Sequence, residues 1–377
     1  MIRLFDTARA EVVPFAPGDP ATIYTCGITP YDAAHLGHAA TYLAFDVLCR
    51  RLADLGKATR LVRNVTDVDD DILRKARELD VHYLDLAAGE LARFDADMDA
   101  IGIRRPDAEP RATSAISDVL SMVARLLEKG VAYQAGGAVY FDIARAARFG
   151  ELSGLDRDEM LHLAAERGGK PEDPAKRDPL DFVLWQPSAA GEPSWESRWG
   201  PGRPGWHIEC SALVLRELGE TIDLHGGGND LVFPHHECEI AQSEGVTGAP
   251  LARHWMHVGM VCLDGVKMSK SLGNLVFVSD LLKDHEAMVV RLALLGHHYR
   301  ARCEWQPVRL GAAAERLALW RRAARTNRAD DGSRALEGAR ACLDDDLDTP
   351  SALAAVDGVA RAGGDVSAAA ALLGVEL

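Results

Sequence analysis

The stretch that decides the fold is YTCGITPYDAAHLGH, residues 24–38. It begins within an apolar, β-branched run at residues 22–28 and leads into residues 35–56, which have helical periodicity and end at a glycine. A second apolar run follows at residues 58–68. Strand, helix and strand in this order predict a βαβ unit, and therefore a parallel sheet that binds ligands at the carboxyl ends of its strands. Cys26 falls at the first of those ends.

The composition is that of an ordinary globular protein with more than one domain. The chain has 377 residues, of which 47% are hydrophobic and 26% charged, enough for a packed core and a well-solvated surface. The net charge of -15 argues against a long nucleic-acid footprint, because phosphate backbones select for clustered lysine and arginine. The seven scattered cysteines do not suggest a disulfide framework. We expect reduced thiols, and metal binding by some of them stays open.

Two features bear on the location of the protein. No apolar run approaches the ~18 residues of a membrane span. The first residues, MIRLFDTARAE, lack the basic-then-apolar order of a signal peptide. We therefore expect a cytoplasmic protein with no membrane partner.

The character of the sequence changes along the chain and predicts an α/β protein in four segments. From residue 110 to 205 a helix and a short strand pair precede a stretch rich in Pro, Gly and Trp, which predicts an insertion. The end of the chain is rich in Ala and Leu, with periodic segments at about 279–296, 307–326 and 333–365. The predicted organisation is a Rossmann-like catalytic domain in two halves, an inserted connective subdomain and a C-terminal helical bundle: residues 1–109, 110–205, 206–278 and 279–377.

Asp69, Asp70 and Asp71 stand together at the start of a predicted helix. Carboxylates in a first helical turn interact favourably with the helix dipole. We therefore favour a structural role for these residues over metal binding.

Two short motifs have residues suited to binding phosphate. In HLGH, His35 and His38 lie one turn apart if a helix begins near His35, beside unpaired backbone N–H groups. In KMSKS, residues 267–271, two lysines and two serines lie on a glycine-flanked loop that could close over a triphosphate. Each motif alone is weak evidence. Both in this order, separated by an interrupted βαβ fold, are strong evidence.

With these motifs the chain resembles the class I aminoacyl-tRNA synthetases, whose HIGH and KMSKS signatures correspond to HLGH and KMSKS here. The resemblance implies a class I synthetase fold and ATP, with Mg²⁺, as a substrate. It also implies catalytic roles for His35, His38, Lys267 and Lys270. In that family such groups stabilise the phosphate charge while an amino-acid carboxylate attacks the α-phosphate of ATP.

The segments GWHIEC and GGGNDLVFPHHE closely resemble the zinc-site segments of cysteinyl-tRNA synthetases. The resemblance implies one Zn²⁺ per chain, bound by Cys26, Cys210 and His235, with one position open for a substrate thiolate. Spacing alone would favour buried structural thiols. Glu239, four residues after His235, either completes the zinc site or is a solvated helix glutamate, and the sequence leaves both readings open.

The same resemblance predicts an adenylate pocket at the strand ends and the loops that follow them. Tryptophans in such a Pro/Gly-rich stretch are more often packing anchors, so packing is the alternative for Trp206. The predicted pocket residues are Cys26, Gly27, Ile28, Thr29, Thr41, Asn64, Val65, Thr66, Trp206, Gly228, Asn229, Asp230 and Val261.

Two related families activate cysteine and differ in the acceptor to which they transfer it: the cysteinyl-tRNA synthetases and the mycothiol ligases. Over almost its whole length the chain resembles the mycothiol ligases, which join cysteine to the amine of glucosaminyl-inositol. The markers are GITPYDAAHLGHAATY, where tRNA enzymes usually have Val for Pro30 and Arg for Ala40, and the ERGGKP segment at residues 166–171. Residues 272–377 are about enough for a helical bundle but short for an added anticodon-reading domain.

The expected partners are therefore small molecules: L-cysteine, ATP and glucosaminyl-inositol, acted on by a monomer. Two segments are more similar to the tRNA enzymes, HHECEIAQSEG and DPLDFVLW, so tRNA charging is the alternative. A non-catalytic relative is a third possibility, which the intact histidines and lysines of the two motifs argue against.

Overall fold

The computed structural model describes residues 1–31, 34–268, 272–325 and 329–377, with only the backbone at residues 267 and 329–332. Within these ranges the strands are β1 (Arg3–Asp6), β2 (Glu11–Pro14), β3 (Ala21–Ile28), β4 (Thr59–Val65), β5 (Ala132–Ala135), β6 (Ala138–Phe141), β7 (Phe182–Gln186), β8 (Arg203–Pro204), β9 (Leu224–Gly228), β10 (Trp255–Val258), β11 (Val261–Leu263), β12 (Val266–Lys267) and β13 (Cys303–Glu304).

The helices alternate with these strands in the first half of the chain and dominate its end. They are α1 (Leu36–Asp54), α2 (Asp70–Leu79), α3 (Tyr83–Ala100), α4 (Ile116–Glu128), α5 (Arg157–Glu166), α6 (Trp206–Leu218), α7 (Glu237–Thr247), α8 (Val278–Asp284), α9 (Ala287–Leu295), α10 (Val308–Ala324), α11 (Ala329–Leu343), α12 (Thr349–Arg361) and α13 (Ser367–Leu372).

A four-stranded parallel sheet forms the centre of the molecule, in the order β10-β9-β3-β4. The predicted β3–α1–β4 unit is confirmed, because β3 and β4 pair in parallel on either side of the α1 crossover. The apolar side chains of β3 are almost completely buried, as expected for a strand in a parallel sheet. All four strands end at one edge, where their loops meet.

The predicted insertion contains its own antiparallel sheet, in the order β5-β6-β7-β8. α4 packs on this sheet through Val119, Val123 and Leu126. The chain then returns to the central sheet through α6 and β9. The described elements agree with this order along the chain, while the segment boundaries themselves stay predictions.

The end of the chain is helical, as the periodicity predicted. The stretch expected at about 279–296 is two helices, α8 and α9, and the one expected at 333–365 is also two helices, α11 and α12. Asp346 and Leu347 adopt positive φ between them, and the side chain of Asp348 caps α12 by accepting from the Ser351 N–H. Among the described helices, none combines the length and apolarity needed to cross a membrane.

A buried ion pair joins α1 to this helical region. Arg291 in α9 is fully buried and donates to the carboxylate of Asp46 in α1 at 2.6 Å. It also donates to the backbone carbonyls of Ile101 and Leu373. Burial would raise the pKa of Asp46, but Arg291 and Arg50 hold it below its ordinary value. The junction thus depends on a charge that water does not screen.

We predict that Asp46→Asn lowers the free energy of unfolding by about 3–5 kcal/mol, because it leaves the buried Arg291 without its counter-charge. Asp280→Asn is the matched control, since it removes an exposed ion pair with Lys283 and should change stability by less than about 0.5 kcal/mol. Urea unfolding followed by tryptophan fluorescence measures both. Equal midpoints for the two variants would contradict the prediction.

Candidate active site and metal centre

The carboxyl ends of β3 and β4 approach each other very closely. The Gly27 N–H donates to the Asn64 side-chain oxygen at 2.7 Å. A Cβ at Gly27 would lie 1.5 Å from the Asn64 carbonyl oxygen, so only glycine fits. The Asn64 amide also donates to the Thr66 hydroxyl at 3.1 Å. The predicted pocket residues of these two strands therefore share one hydrogen-bonded edge.

The other predicted pocket residues lie around this edge. Gly228 ends β9, the neighbour of β3, and the Asp230 carboxylate lies against its Cα. Thr29 donates to Asp69 at 3.1 Å, and Thr41 donates to the carbonyl of Gly37 in α1. The remaining predicted residues are buried Ile28 in β3, Val65 in β4 and Val261 in β11, and exposed Asn229 just after β9.

HLGH forms the start of α1, as predicted. His35 is the N-cap residue, and its Nδ1 accepts from the Gly37 N–H at 3.0 Å. The rings of His35 and His38 stack with centroids 3.9 Å apart. Because Nδ1 of His35 is an acceptor, the neutral ring carries its proton on Nε2 and is a donor there.

The chain after KMSKS returns to the start of α1. The Leu36 N–H donates to the Val276 carbonyl at 2.9 Å, and the Val278 N–H donates to the Ala34 carbonyl at 3.1 Å. Lys267 ends β12, while Lys270 and its flanking serines lie outside the described residues. These backbone bonds bring residues 276–278, which follow KMSKS in the sequence, to the start of α1.

The predicted metal ligands meet in a buried cluster. Suitable ligand atoms of Cys26, Cys210, His235 and Glu239 all lie within 4.8 Å of one another. The four residues are at most 5% exposed. The reading of Glu239 as a solvated helix residue is wrong, because its carboxylate is fully buried and accepts from His235 at 2.9 Å.

Charge is shared unevenly inside this cluster. The neighbouring thiol of Cys26 donates to Cys210 and lowers the pKa of Cys210 to about 6, whereas burial raises the pKa of Cys26. Burial opposes the charge on His235, but the Glu239 carboxylate raises the pKa of that imidazole to about 10. Burial also opposes the charge on Glu239, and the surrounding histidines hold its pKa well below the ordinary value. Each charge here requires an opposite one beside it.

Two soft thiols, an imidazole and a carboxylate are a donor set that Zn²⁺ accepts. Cys26 belongs to β3, the strand that leads to α1 and its HLGH motif, and the Tyr42 hydroxyl of α1 donates to the Cys26 carbonyl at 3.2 Å. Trp206 covers one side of the cluster, with its ring centroid 4.4 Å from that of His235, and it is only partly exposed.

Further histidines around the cluster were not singled out from the sequence. His225 contacts Glu239 at 2.9 Å, and His236 contacts both Cys26, at 3.4 Å, and His257, at 2.7 Å. His207 contacts His235 at 2.9 Å. The adjacent histidines in FPHHE were the available signal, although sequence does not show which neighbours face inward.

Comparisons with known proteins identify the fold and the family. Residues 14–315 match the family described as tRNA synthetases class I (C) catalytic domain. A solved Mycobacterium tuberculosis methionyl-tRNA synthetase in complex with methionyl-adenylate has a similar fold, with a TM-score of 0.68 at 17% identity, over 91% of this chain and 82% of that chain. A leucyl enzyme from Agrobacterium radiobacter K84, solved as a LeuRS-tRNA-LeuAMS complex, gives a TM-score of 0.66 at 12% identity, over 96% of this chain and 83% of that one. The predicted class I synthetase fold is thereby confirmed.

Much more similar relatives carry one common name. A protein of Thermobispora bispora named L-cysteine:1D-myo-inositol 2-amino-2-deoxy-alpha-D-glucopyranoside ligase is 48% identical over 99% of this chain and 93% of its own length. A protein of the same name from Mycobacterium ulcerans is 49% identical over 95% of this chain and 88% of its own. The chain therefore belongs to the family of these cysteine ligases, the mycothiol ligases, within the class I synthetases.

Proposed function

We propose that the protein activates L-cysteine with ATP and transfers the cysteinyl group to the amine of 1D-myo-inositol 2-amino-2-deoxy-α-D-glucopyranoside. The observation that carries this proposal is the buried cluster of Cys26, Cys210, His235 and Glu239 beside the start of α1. The cluster suits a metal ion that prefers thiolate ligands, and the start of α1 suits nucleotide phosphates. Both substrates of the first step thus have a place at one sheet edge.

In the first step a carboxylate oxygen of cysteine attacks the α-phosphorus of ATP, and pyrophosphate leaves with the electrons of the broken P–O bond. His35 and His38 at the start of α1 face the charge that spreads over the phosphates. His35 can donate from Nε2, and the dipole of α1 adds positive potential at its first turn. Lys267 and Lys270, with Mg²⁺ on the phosphates, complete this clamp.

In the second step the neutral amine of the sugar attacks the cysteinyl carbonyl. The C–N bond forms, the C–O bond to AMP breaks, and the amine gives up a proton. The predicted pocket at the ends of β3, β4 and β9 holds the adenylate for this attack, and the tight β3–β4 contact at Gly27 keeps that pocket fixed. Rigid positioning of this kind lowers the entropic cost of bringing the reacting groups together and so raises the reaction rate.

Cys26, Cys210 and His235 would hold the zinc ion, with Glu239 as a further ligand or as the partner that orients His235. When bound, the ion supplies an open position that prefers a thiolate to a hydroxyl. Trp206 forms a wall of the same subsite. We further propose a monomer in the cytoplasm.

We predict that ATP and cysteine alone support pyrophosphate exchange, and that adding the amino sugar releases one AMP for each new amide. The names of the relatives and the acidic balance of the chain favour the sugar over tRNA. Parallel reactions with the amino sugar and with tRNA identify the acceptor. Cysteine attached to tRNA, with no amide formed on the sugar, would overturn the proposal in favour of tRNA charging.

We predict that Cys210→Ser loses most of its bound zinc, because few ligands remain. The wild type should prefer cysteine to serine by at least ~10⁴-fold, and the variant should fall to ~10²-fold or less, since only size and weak hydrogen bonds then distinguish the two. Elemental analysis and exchange kinetics with both amino acids measure this.

The matched control is Cys342→Ser, the same change at a half-buried cysteine of α11 outside the cluster. It should keep about one zinc per chain and the full preference. If Cys210→Ser behaves like this control, the ligands lie elsewhere and Cys210 is a structural thiol.

A further inference from the structure

The ERGGKP segment, residues 166–171, has no role in the mechanism above. It follows α5 in the inserted part of the chain. The first glycine adopts a φ of +83°, and the N–H of the second donates to the Ala164 carbonyl at 2.7 Å. A Cβ at Gly169 would lie 2.7 Å from that oxygen, which excludes larger residues. Lys176 also donates to the Gly169 carbonyl. The segment is therefore a tight, well-braced turn.

This turn directs Arg167 away from its own helix. One nitrogen of the guanidinium, Nη1, donates to the backbone carbonyls of both Asp230 and Phe233. Both carbonyls belong to the short segment between β9 and α7, a 3₁₀ turn (Asn229–Leu231) and a π-helical turn (Val232–His236) with a kink at Phe233, whose φ and ψ are non-helical. A single side chain thus contacts this helical segment on both sides of its kink.

The supported segment joins the two halves of the candidate site. Asp230 is one of the predicted adenylate-pocket residues, and His235, two residues after Phe233, belongs to the buried cluster. A shift in this segment would move both at once. Groups that orient a ligand from outside its first contacts commonly change affinity or activity by ~10–100-fold when removed.

An apolar contact keeps this segment attached to α5 without Arg167. Phe233 is 3% exposed and packs against Met160 and Ala164. Arg167 itself is partly exposed, so water can reach the two carbonyls once the arginine is gone. Removing the guanidinium should therefore leave the fold intact and loosen only the segment.

We propose that Arg167 is a positioning residue. It fixes Asp230 of the predicted adenylate pocket and His235 of the buried cluster relative to each other. What the segment binds rests on the proposed function. Through this residue the inserted part of the chain controls the geometry of the catalytic edge. Arg167 acts on the backbone and need not touch substrate.

The test compares Arg167→Ala and Arg167→Lys with the wild type in the zinc-loaded enzyme. Arg167→Ala should raise the KM for ATP and speed the loss of zinc to a chelator, each by ~10–100-fold, with little change in thermal midpoint. Arg167→Lys should recover a large part of both, because an ammonium also has several N–H donors on one nitrogen. Arg157→Ala, which removes an exposed arginine of α5 paired with Asp178, should change neither.

A lower thermal midpoint for Arg167→Ala with unchanged KM and zinc release would overturn the proposal, since the residue would then serve stability alone. Equal effects of Arg157→Ala and Arg167→Ala would also overturn it. A wild type without cysteine-dependent exchange would refute the proposed function instead. In that case the rate of zinc loss from Arg167→Ala, compared with the wild type, still tests the role of Arg167.

Discussion

The centre of this molecule depends on a carboxylate that has no contact with water. Glu239 is fully buried, and such a charge is tolerated only beside positive charge and hydrogen-bond donors. His225 contacts one of its oxygens and His235 the other. These groups come from β9, α7 and the segment between them. The hydrogen bonds that stabilise this one carboxylate therefore hold three parts of the chain together. A bound cation would satisfy the same need more strongly.

The cluster and the HLGH motif lie at the same edge of the sheet, and a short stretch of chain connects them. Cys26 lies in β3, and α1 begins shortly after that strand ends. The approach of β4 at Gly27 leaves no room for a side chain, and the pairing of the two strands shifts register at this position, between Thr25 and Ile28. A ligand held by its sulfur on one side and its phosphate on the other would therefore meet a frame whose spacing is set by the backbone. That arrangement suits a reaction in which positioning supplies much of the rate.

The sequence predicted those parts of the fold that depend on local pattern. Alternation and helical periodicity identified β3, α1 and β4, including the start of α1 near His35, but they did not predict that the His35 side chain caps the helix. The burial of Glu239 was left open, because its spacing from His235 puts both on one helix face without showing whether that face meets solvent. The surrounding histidines and the reach of Arg167 across to Phe233 depend on tertiary contacts between distant segments. No local pattern contains that information. The break between α11 and α12 was missed for another reason, since the periodicity on both sides hid the cap at Asp348.

The zinc site that we propose consists of the buried thiol, imidazole and carboxylate groups beside the start of α1. The most direct test is anomalous X-ray scattering, measured on both sides of the zinc absorption edge, from crystals of unchelated protein. We expect one zinc peak per chain, within bonding distance of the Cys26 and Cys210 sulfurs and of a nitrogen of His235, at about 2.0–2.3 Å. A peak elsewhere, or no peak in the cluster of freshly purified protein, would contradict it.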